Sequence, residues 1–269
     1  MHSITLLALV ACSATTSGSR RDRDASPGDG DAGAEGGGEG EGEGEGEGEG
    51  EGEGEGEGEG EGEGEACDDE QHAGEATYYD FADGSGNCSF DPTPDDLMVG
   101  AMNHTDYADS AVCGACARLV GPDGEVTVRI VDRCPECPQG DIDLSPEAFA
   151  LIAEIGAGRV PITWTYVPCD VQGPVLYHFK EGANQWWTAV QIRNHRHAVA
   201  RFEYLSGDGV FREVGRESYN YFVEPKGMGP GPYTFRVTDV YGSVIEDAGI
   251  PFAEDESVAG SSQFPACVD

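Results

Sequence analysis

The chain of 269 residues carries 52 Asp and Glu against 15 Lys and Arg, a net charge of −37, with 41 glycines and 38% hydrophobic residues. Charge of that sign repels nucleic acid and pectin-like polyanions, so the expected polymer partner is neutral. Beyond a short N-terminal run, nothing approaches the roughly 18 consecutive apolar residues of a membrane span.

Residues 1–12, MHSITLLALVAC, form an apolar run ending at Cys12. The run is similar to a bacterial lipoprotein signal, which implies lipidation of Cys12 after cleavage, although only His2 precedes the apolar core and no Lys or Arg is present. Export is expected on that reading and equally for an ordinary cleaved signal peptide. Residues 13–65 then pass into strict Glu-Gly alternation from Glu39 onward. Such a tract has no apolar surface with which to offset the entropy of ordering, so it reads as a disordered, extended linker. Residues 1–65 hold 19 acidic and 3 basic side chains, leaving 33 against 12 and a net of −21 for the rest; 20 against 4 of these lie in residues 66–171.

Apart from Cys12 there are eight cysteines: Cys67, Cys88, Cys113, Cys116, Cys134, Cys137, Cys169 and Cys267. An even number in an exported chain predicts up to four disulfides, with the pairing not readable from sequence. The competing expectation is a four-cysteine zinc site, because two Cys-x2-Cys pairs, at Cys113 and Cys116 and at Cys134 and Cys137, are spaced as such sites are. Zinc is the weaker reading, since exported thiols oxidise and four further cysteines would stay unexplained, so no metal or cofactor is expected.

The folded region opens with GEATYYD, residues 74–80, in which Asp80 is read as a solvated turn residue before Phe81-Ala82-Asp83-Gly84. Next, MNHTDYADSAVCGAC, residues 102–116, contains Asn103, His104 and Tyr107; a lone loop histidine is first a surface or hydrogen-bonded residue. Val126, Val128 and Ile130 alternate with Thr127 and Arg129, predicting a half-buried strand that Asp132 caps. Ser145 then stands where an N-cap belongs, with Pro146 at the first helical position and a Leu144–Phe149 staple, so Asp143 precedes a helix. Those are two places from which side chains reach a ligand.

The run VDRCPECPQGDIDLSPEAF, residues 131–149, resembles the first domain of expansins, particularly the bacterial and fungal expansin-like proteins. The resemblance implies a six-stranded double-psi β-barrel related to family 45 glycoside hydrolases, with Asp143 matching the hydrolases' proton-donating aspartate. It further implies that Asp132 and Thr77 are groove residues. In family 45 hydrolases a similar aromatic-aromatic-Asp segment supplies the base, which gives Asp80 a role only if the protein is hydrolytic. Inverting hydrolysis needs its two carboxyl groups about 6.5 to 9.5 Å apart.

A seam at Val171-Gln172-Gly173-Pro174 divides residues 66–171 from 172–269. Beyond it the pattern is all β. Val175-Tyr177-Phe179, Ala189-Gln191-Arg193, Ala200-Phe202-Tyr204 and Tyr233-Phe235-Val237 alternate between turn signals such as Ser206-Gly207-Asp208-Gly209, as in a small sandwich. Trp164, in the alternating PITWTY of residues 161–166, is expected in the core or at a domain interface. The segment KEGANQWWTAVQIRN, residues 180–194, resembles the second domain of bacterial expansins, an immunoglobulin-like family 63 carbohydrate-binding module. The resemblance implies a flat cellulose-binding strip of Trp186, Trp187 and Tyr219 with Lys180 beside it. Neighbouring residues on a regular strand point to opposite faces, so a Trp-Trp pair serving one surface requires an irregular segment, and at least one ring is expected to be exposed.

The chain therefore reads as all-β, a double-psi barrel followed by an immunoglobulin-like sandwich behind a disordered linker. The expected function is that of a monomeric, surface-tethered expansin that binds cellulose and neutral wall glucans and loosens plant cell wall without cleaving it. It touches no nucleic acid, and a membrane only through its lipid anchor. Two readings compete: an endoglucanase or lytic transglycosylase with Asp143 as acid, and a pure cellulose-binding adhesin.

Overall fold

The computed structural model describes residues 70–80 and 82–267. Cys12, the Glu-Gly linker and Cys67 lie outside the described residues.

Six strands close a barrel: β1 (His72–Tyr78), β2 (Val99–Asn103), β3 (Cys116–Val120), β4 (Glu125–Cys134), β5 (Ile142–Leu144) and β6 (Val160–Val167). Around the barrel they run β1-β5-β2-β4-β3-β6. The β1–β5 and β2–β4 pairs are parallel and the others antiparallel, the mixed arrangement of a double-psi barrel. Ala76, Val126, Val128, Ile130, Ile142 and Leu144 fill the interior. Trp164 is a core residue: it is buried, its Nε1 donates to the Gly140 carbonyl at 2.8 Å, and its ring stacks on His72 at 4.0 Å.

One irregularity decides where Asp132 points. Along β4 the even residues Val126, Val128 and Ile130 face inward, and unbroken alternation would carry Asp132 into the core with them. Against β2, however, Gly100 pairs with Ile130 while Ala101 pairs with Asp132, so Val131 is an extra residue. This β-bulge sends Val131 inward, where it is fully buried, and turns Asp132 outward. The strand also runs on through Arg133 to Cys134, which pairs with Asn103, so Asp132 lies within β4 and does not cap it.

Two one-turn helices follow side-chain caps, Ser145 as expected and Asn103 in addition. Ser145 Oγ accepts from the Ala148 N–H at 3.0 Å to start α2 (Pro146–Phe149), and Asn103 Oδ1 accepts from the Asp106 N–H to start α1 (His104–Tyr107). His104 is exposed.

The second half is a sandwich of two sheets. One has the order β10-β9-β13-β14, from β9 (Val199–Leu205), β10 (Phe211–Glu213), β13 (Tyr233–Asp239) and β14 (Val244–Ile250). The other has the order β11-β12-β8-β7-β15, from β7 (Leu176–Phe179), β8 (Thr188–Arg193), β11 (Gly215–Arg216), β12 (Phe222–Glu224) and β15 (Ser257–Ala259). Tyr177, Phe179, Phe202, Phe235 and Val237 make the core between them, on the alternation anticipated for those strands.

Disulfides join Cys88 to Cys113, Cys116 to Cys169 and Cys134 to Cys137, and Cys267 is disulfide-bonded as well. Cys113 and Cys116 thus belong to different bridges, which leaves no thiolates for the zinc alternative.

Candidate functional site

Strand register brings Thr77, Asp143 and Asp132, the residues expected in a groove, into one row. Thr77 pairs with Asp143 across the parallel β1–β5 ladder, Asp143 with Ala101 across β5–β2, and Ala101 with Asp132 across β2–β4. Directly paired residues project from the same face of a sheet, so Thr77, Asp143, Ala101 and Asp132 line one outward strip across four strands. The inward neighbours Ala76, Ile142, Leu144 and Met102 anchor the strip from beneath. Two strand spacings put the Cα atoms of Asp143 and Asp132 about 10 Å apart.

The two carboxylates differ in environment. Thr77 Oγ1 donates to Asp143 Oδ1. Burial pushes the Asp143 carboxyl above the ordinary aspartate range, the Thr77 hydrogen bond opposes this, and the charges of Glu136 and Asp132 raise it further against Arg159. Asp132 Oδ1 instead accepts from the backbone N–H groups of Asn87 at 2.6 Å and Arg133 at 2.8 Å. The loop carrying Asn87 lies so close that a Cβ on Gly86 would stand 2.5 Å from the Asp132 carboxyl carbon. Asp80 is an exposed turn residue, as its sequence context indicated.

Tyr79 enters the strip unannounced. Its hydroxyl is buried without a hydrogen-bond partner, and burial together with the charges of Asp132, Asp143 and Asp83 drives its pKa far upward, so it remains a neutral donor. Removing a hydroxyl that makes no bond relieves an unmet desolvation cost. Tyr79→Phe is therefore expected to keep or raise the melting temperature, measured by calorimetry; a drop of several degrees would show that the hydroxyl is satisfied in solution.

The aromatic residues singled out in the sequence for the strip lie just before β8 of the five-stranded sheet and in the loop before β12. Trp187 precedes β8 and shares the parity of Ala189, Gln191 and Arg193. Asn184 Oδ1 accepts from the backbone N–H of both Trp186 and Trp187, at 2.9 and 3.1 Å, which bends the chain before the strand begins. Behind the bend, Gly227 at φ +73° approaches so closely that a Cβ would stand 2.0 Å from the Gln185 carbonyl oxygen. Trp186 is left 72% exposed and Trp187 half-buried. Tyr219 is also half-buried, with its ring 6.0 Å from that of Tyr221. Lys180 Nζ sits 5.0 Å above the Tyr221 ring. Tyr221, which the sequence did not single out, is itself buried and is in contact with both Lys180 and Tyr219.

A polar seam fixes the segment carrying Tyr219 to the barrel. Asn87 Nδ2 donates to the Ser218 carbonyl at 2.7 Å, and Tyr107 Oη donates to the same oxygen at 3.0 Å. On the other side of Tyr219, Asn220 Nδ2 and Gln191 Nε2 both donate to the Cys88 carbonyl. Asn87 therefore holds Asp132 with its backbone and the residue before Tyr219 with its side chain.

This geometry can be set beside known proteins. Expansin-YoaJ of Bacillus subtilis (strain 168) is 35% identical over 207 residues, covering 73% of this chain and 88% of the relative. The chain belongs to the expansin family. Expansin-like protein 1 of Dictyostelium discoideum is 30% identical over 203 residues, 70% of each chain. Among solved structures, the expansin resembles that of Clavibacter michiganensis, both without ligand and as a point mutant in complex with cellohexaose. In each, TM-score is 0.69 and identity 32%, with 74% of this chain and all of the other covered. The lytic transglycolase family matches residues 71–164. This expansin keeps the barrel and sandwich of its relatives behind a Glu-Gly segment.

Proposed function

We propose that this expansin binds cellulose through Trp186, Trp187 and Tyr219, with Lys180 beside them, and loosens plant cell wall polysaccharide without cleaving it. Asp143, Asp132 and Thr77 hydrogen-bond a single glucan chain and compete with its contacts to neighbouring chains. The observation supporting this reading is the seam at Asn87, which bonds Asp132 of the polar row and the Ser218 carbonyl beside Tyr219. The cellohexaose complex of the Clavibacter michiganensis expansin supports a β-glucan as the ligand class. The protein acts as a monomer outside the cell, which suits its disulfides, held to the membrane by lipid on Cys12 at the end of the extended linker. The test is a paired assay on one preparation: extension of heat-killed plant wall under load, expected, and soluble sugar release, expected to be absent.

The match of residues 71–164 to lytic transglycolases favours one competing reading, in which Asp143 protonates a glycosidic oxygen of peptidoglycan. Release of muropeptides from purified peptidoglycan would establish it in place of wall loosening.

An acidic protein and a neutral polymer exchange no counterions on binding, so affinity for cellulose should be nearly constant between low and physiological salt. Depletion isotherms on crystalline cellulose check this, and a steep fall would identify a charged target.

A further inference from the structure

A cavity of about 550 Å³ opens between the barrel and the sandwich, and it shares no residue with the Thr77–Asp143–Asp132 row or with Trp186, Trp187 and Tyr219. The volume is typical of small-molecule sites, which span roughly 300 to 1,000 Å³. Two arginines line it, Arg129 from β4 and Arg193 from β8.

The two arginines differ in their partners: Arg193 has a carboxylate counter-ion and Arg129 has none among the described residues. Arg129 Nε is buried with no hydrogen-bond partner, and its Nη2 has one long contact, 3.4 Å to Thr93 Oγ1. Its guanidinium lies 5.3 Å from the centre of the Phe90 ring, and no carboxylate pairs with it among the described residues. Burial lowers its pKa, Asp96 opposes this at longer range, and the like charge of Arg193 adds to the lowering. Arg193 is 14% exposed and engaged: its Nη1 donates at 2.6 Å to Asp91, whose carboxylate is 77% exposed, and its Nε donates to Gln191 Oε1.

A half-buried guanidinium with one unmet N–H is costly, and its planar fork matches a carboxylate in a bidentate pair. Phe90 and Met98 add apolar wall of the kind that packs against the C–H face of a sugar ring. Asp91, Asp96 and Asp170 stand around the same cavity, three carboxylates against two guanidiniums, so a dianion or polyanion is repelled and a single carboxylate is held only through direct contact with Arg129, which has no carboxylate partner of its own among the described residues. We propose that this cavity is a subsite for one hexuronic acid residue, carried as an isolated branch or end of an otherwise neutral polysaccharide. It adds an anchoring point beyond the glucan surface and does not depend on that surface being correct.

The probes are methyl β-D-glucuronide, methyl β-D-glucoside and inorganic phosphate, titrated into the full chain by NMR, following the arginine Nε–H signals. The glucuronide should bind with a millimolar Kd that weakens with salt, at least tenfold tighter than the glucoside or phosphate. Arg129→Gln should cost tenfold or more. Asp91→Asn, which frees the Arg193 fork, should tighten binding severalfold, a gain that misfolding cannot imitate. The double variant Trp186→Ala with Trp187→Ala should bind the glucuronide as before, whatever happens to its cellulose affinity. Equal binding of glucuronide and glucoside, phosphate binding as tight as the glucuronide, or an Asp91→Asn variant that binds no tighter would each overturn the proposal.

Discussion

Replacing both Trp186 and Trp187 by alanine is expected to weaken binding to crystalline cellulose by tenfold or much more, with the fold unchanged. Stacking of an aromatic ring on a sugar is comparable to its stacking on a nucleobase, about 1 to 3 kcal/mol per ring, and each 1.4 kcal/mol is a factor of ten. Trp186, at 72% exposed, contributes little to the core, so its loss leaves the sandwich intact. The backbone that presents the rings is held independently of them, by Asn184 and by the close approach of Gly227. Circular dichroism should therefore be superimposable on that of the parent protein while the binding isotherm collapses. Trp187 is half-buried, so the single variant Trp187→Ala also carries a modest fall in melting temperature, which Trp186→Ala does not. Normal cellulose affinity in the double variant would remove the aromatic strip from the function altogether.

The sequence carried the parts of the fold that alternation and capping write locally. The inward Val126, Val128 and Ile130, the Ser145 cap and the inward faces of Tyr177, Phe179, Phe235 and Val237 all follow from side-chain period and from which groups need hydrogen-bond partners. The bulge at Val131 is different in kind: it is an event between two strands, set by how Gly100 and Ala101 meet β4, and one strand's sequence shows no trace of it. Yet it decides that Asp132 faces outward. The seam was equally silent, because Asn87 and Tyr107 look like ordinary loop residues until the sandwich brings the Ser218 carbonyl to them. Nothing in the sequence distinguishes Tyr79 from Tyr78, and only the neighbouring carboxylates of the fold make its unbonded hydroxyl notable. The cysteines left two readings open for a physical reason: the close spacing of Cys113 and Cys116 suits a metal, whereas their partners Cys88 and Cys169 are distant in sequence and near only in the fold.

Asp143→Asn is expected to abolish wall extension while cellulose binding persists and the parent protein releases no sugar. The asparagine is nearly isosteric, and its carbonyl oxygen can still accept from Thr77, so the row of residues keeps its shape. What disappears is a carboxyl group that burial holds above the usual aspartate range. That shift makes ionisation less favourable in the folded than in the unfolded chain. The resulting penalty is absent below the unfolded value, about 3.9, and grows as pH rises through the higher folded value. The variant should therefore be at least as stable as the parent at pH 7, with any advantage vanishing towards pH 4, which separates loss of function from loss of fold. Hydrolysis is a different demand, because inversion needs a second carboxylate that activates water across the sugar ring. Asp80 stands exposed in a turn, and Asp132 has one oxygen tied to two backbone N–H groups. Neither arrangement supplies a poised base, so a soluble β-glucan should survive prolonged incubation. Asp80→Asn run in parallel makes the comparison decisive: glucan hydrolysis by the parent, lost in both aspartate variants, would make this a two-aspartate glycosidase instead of a wall-loosening protein.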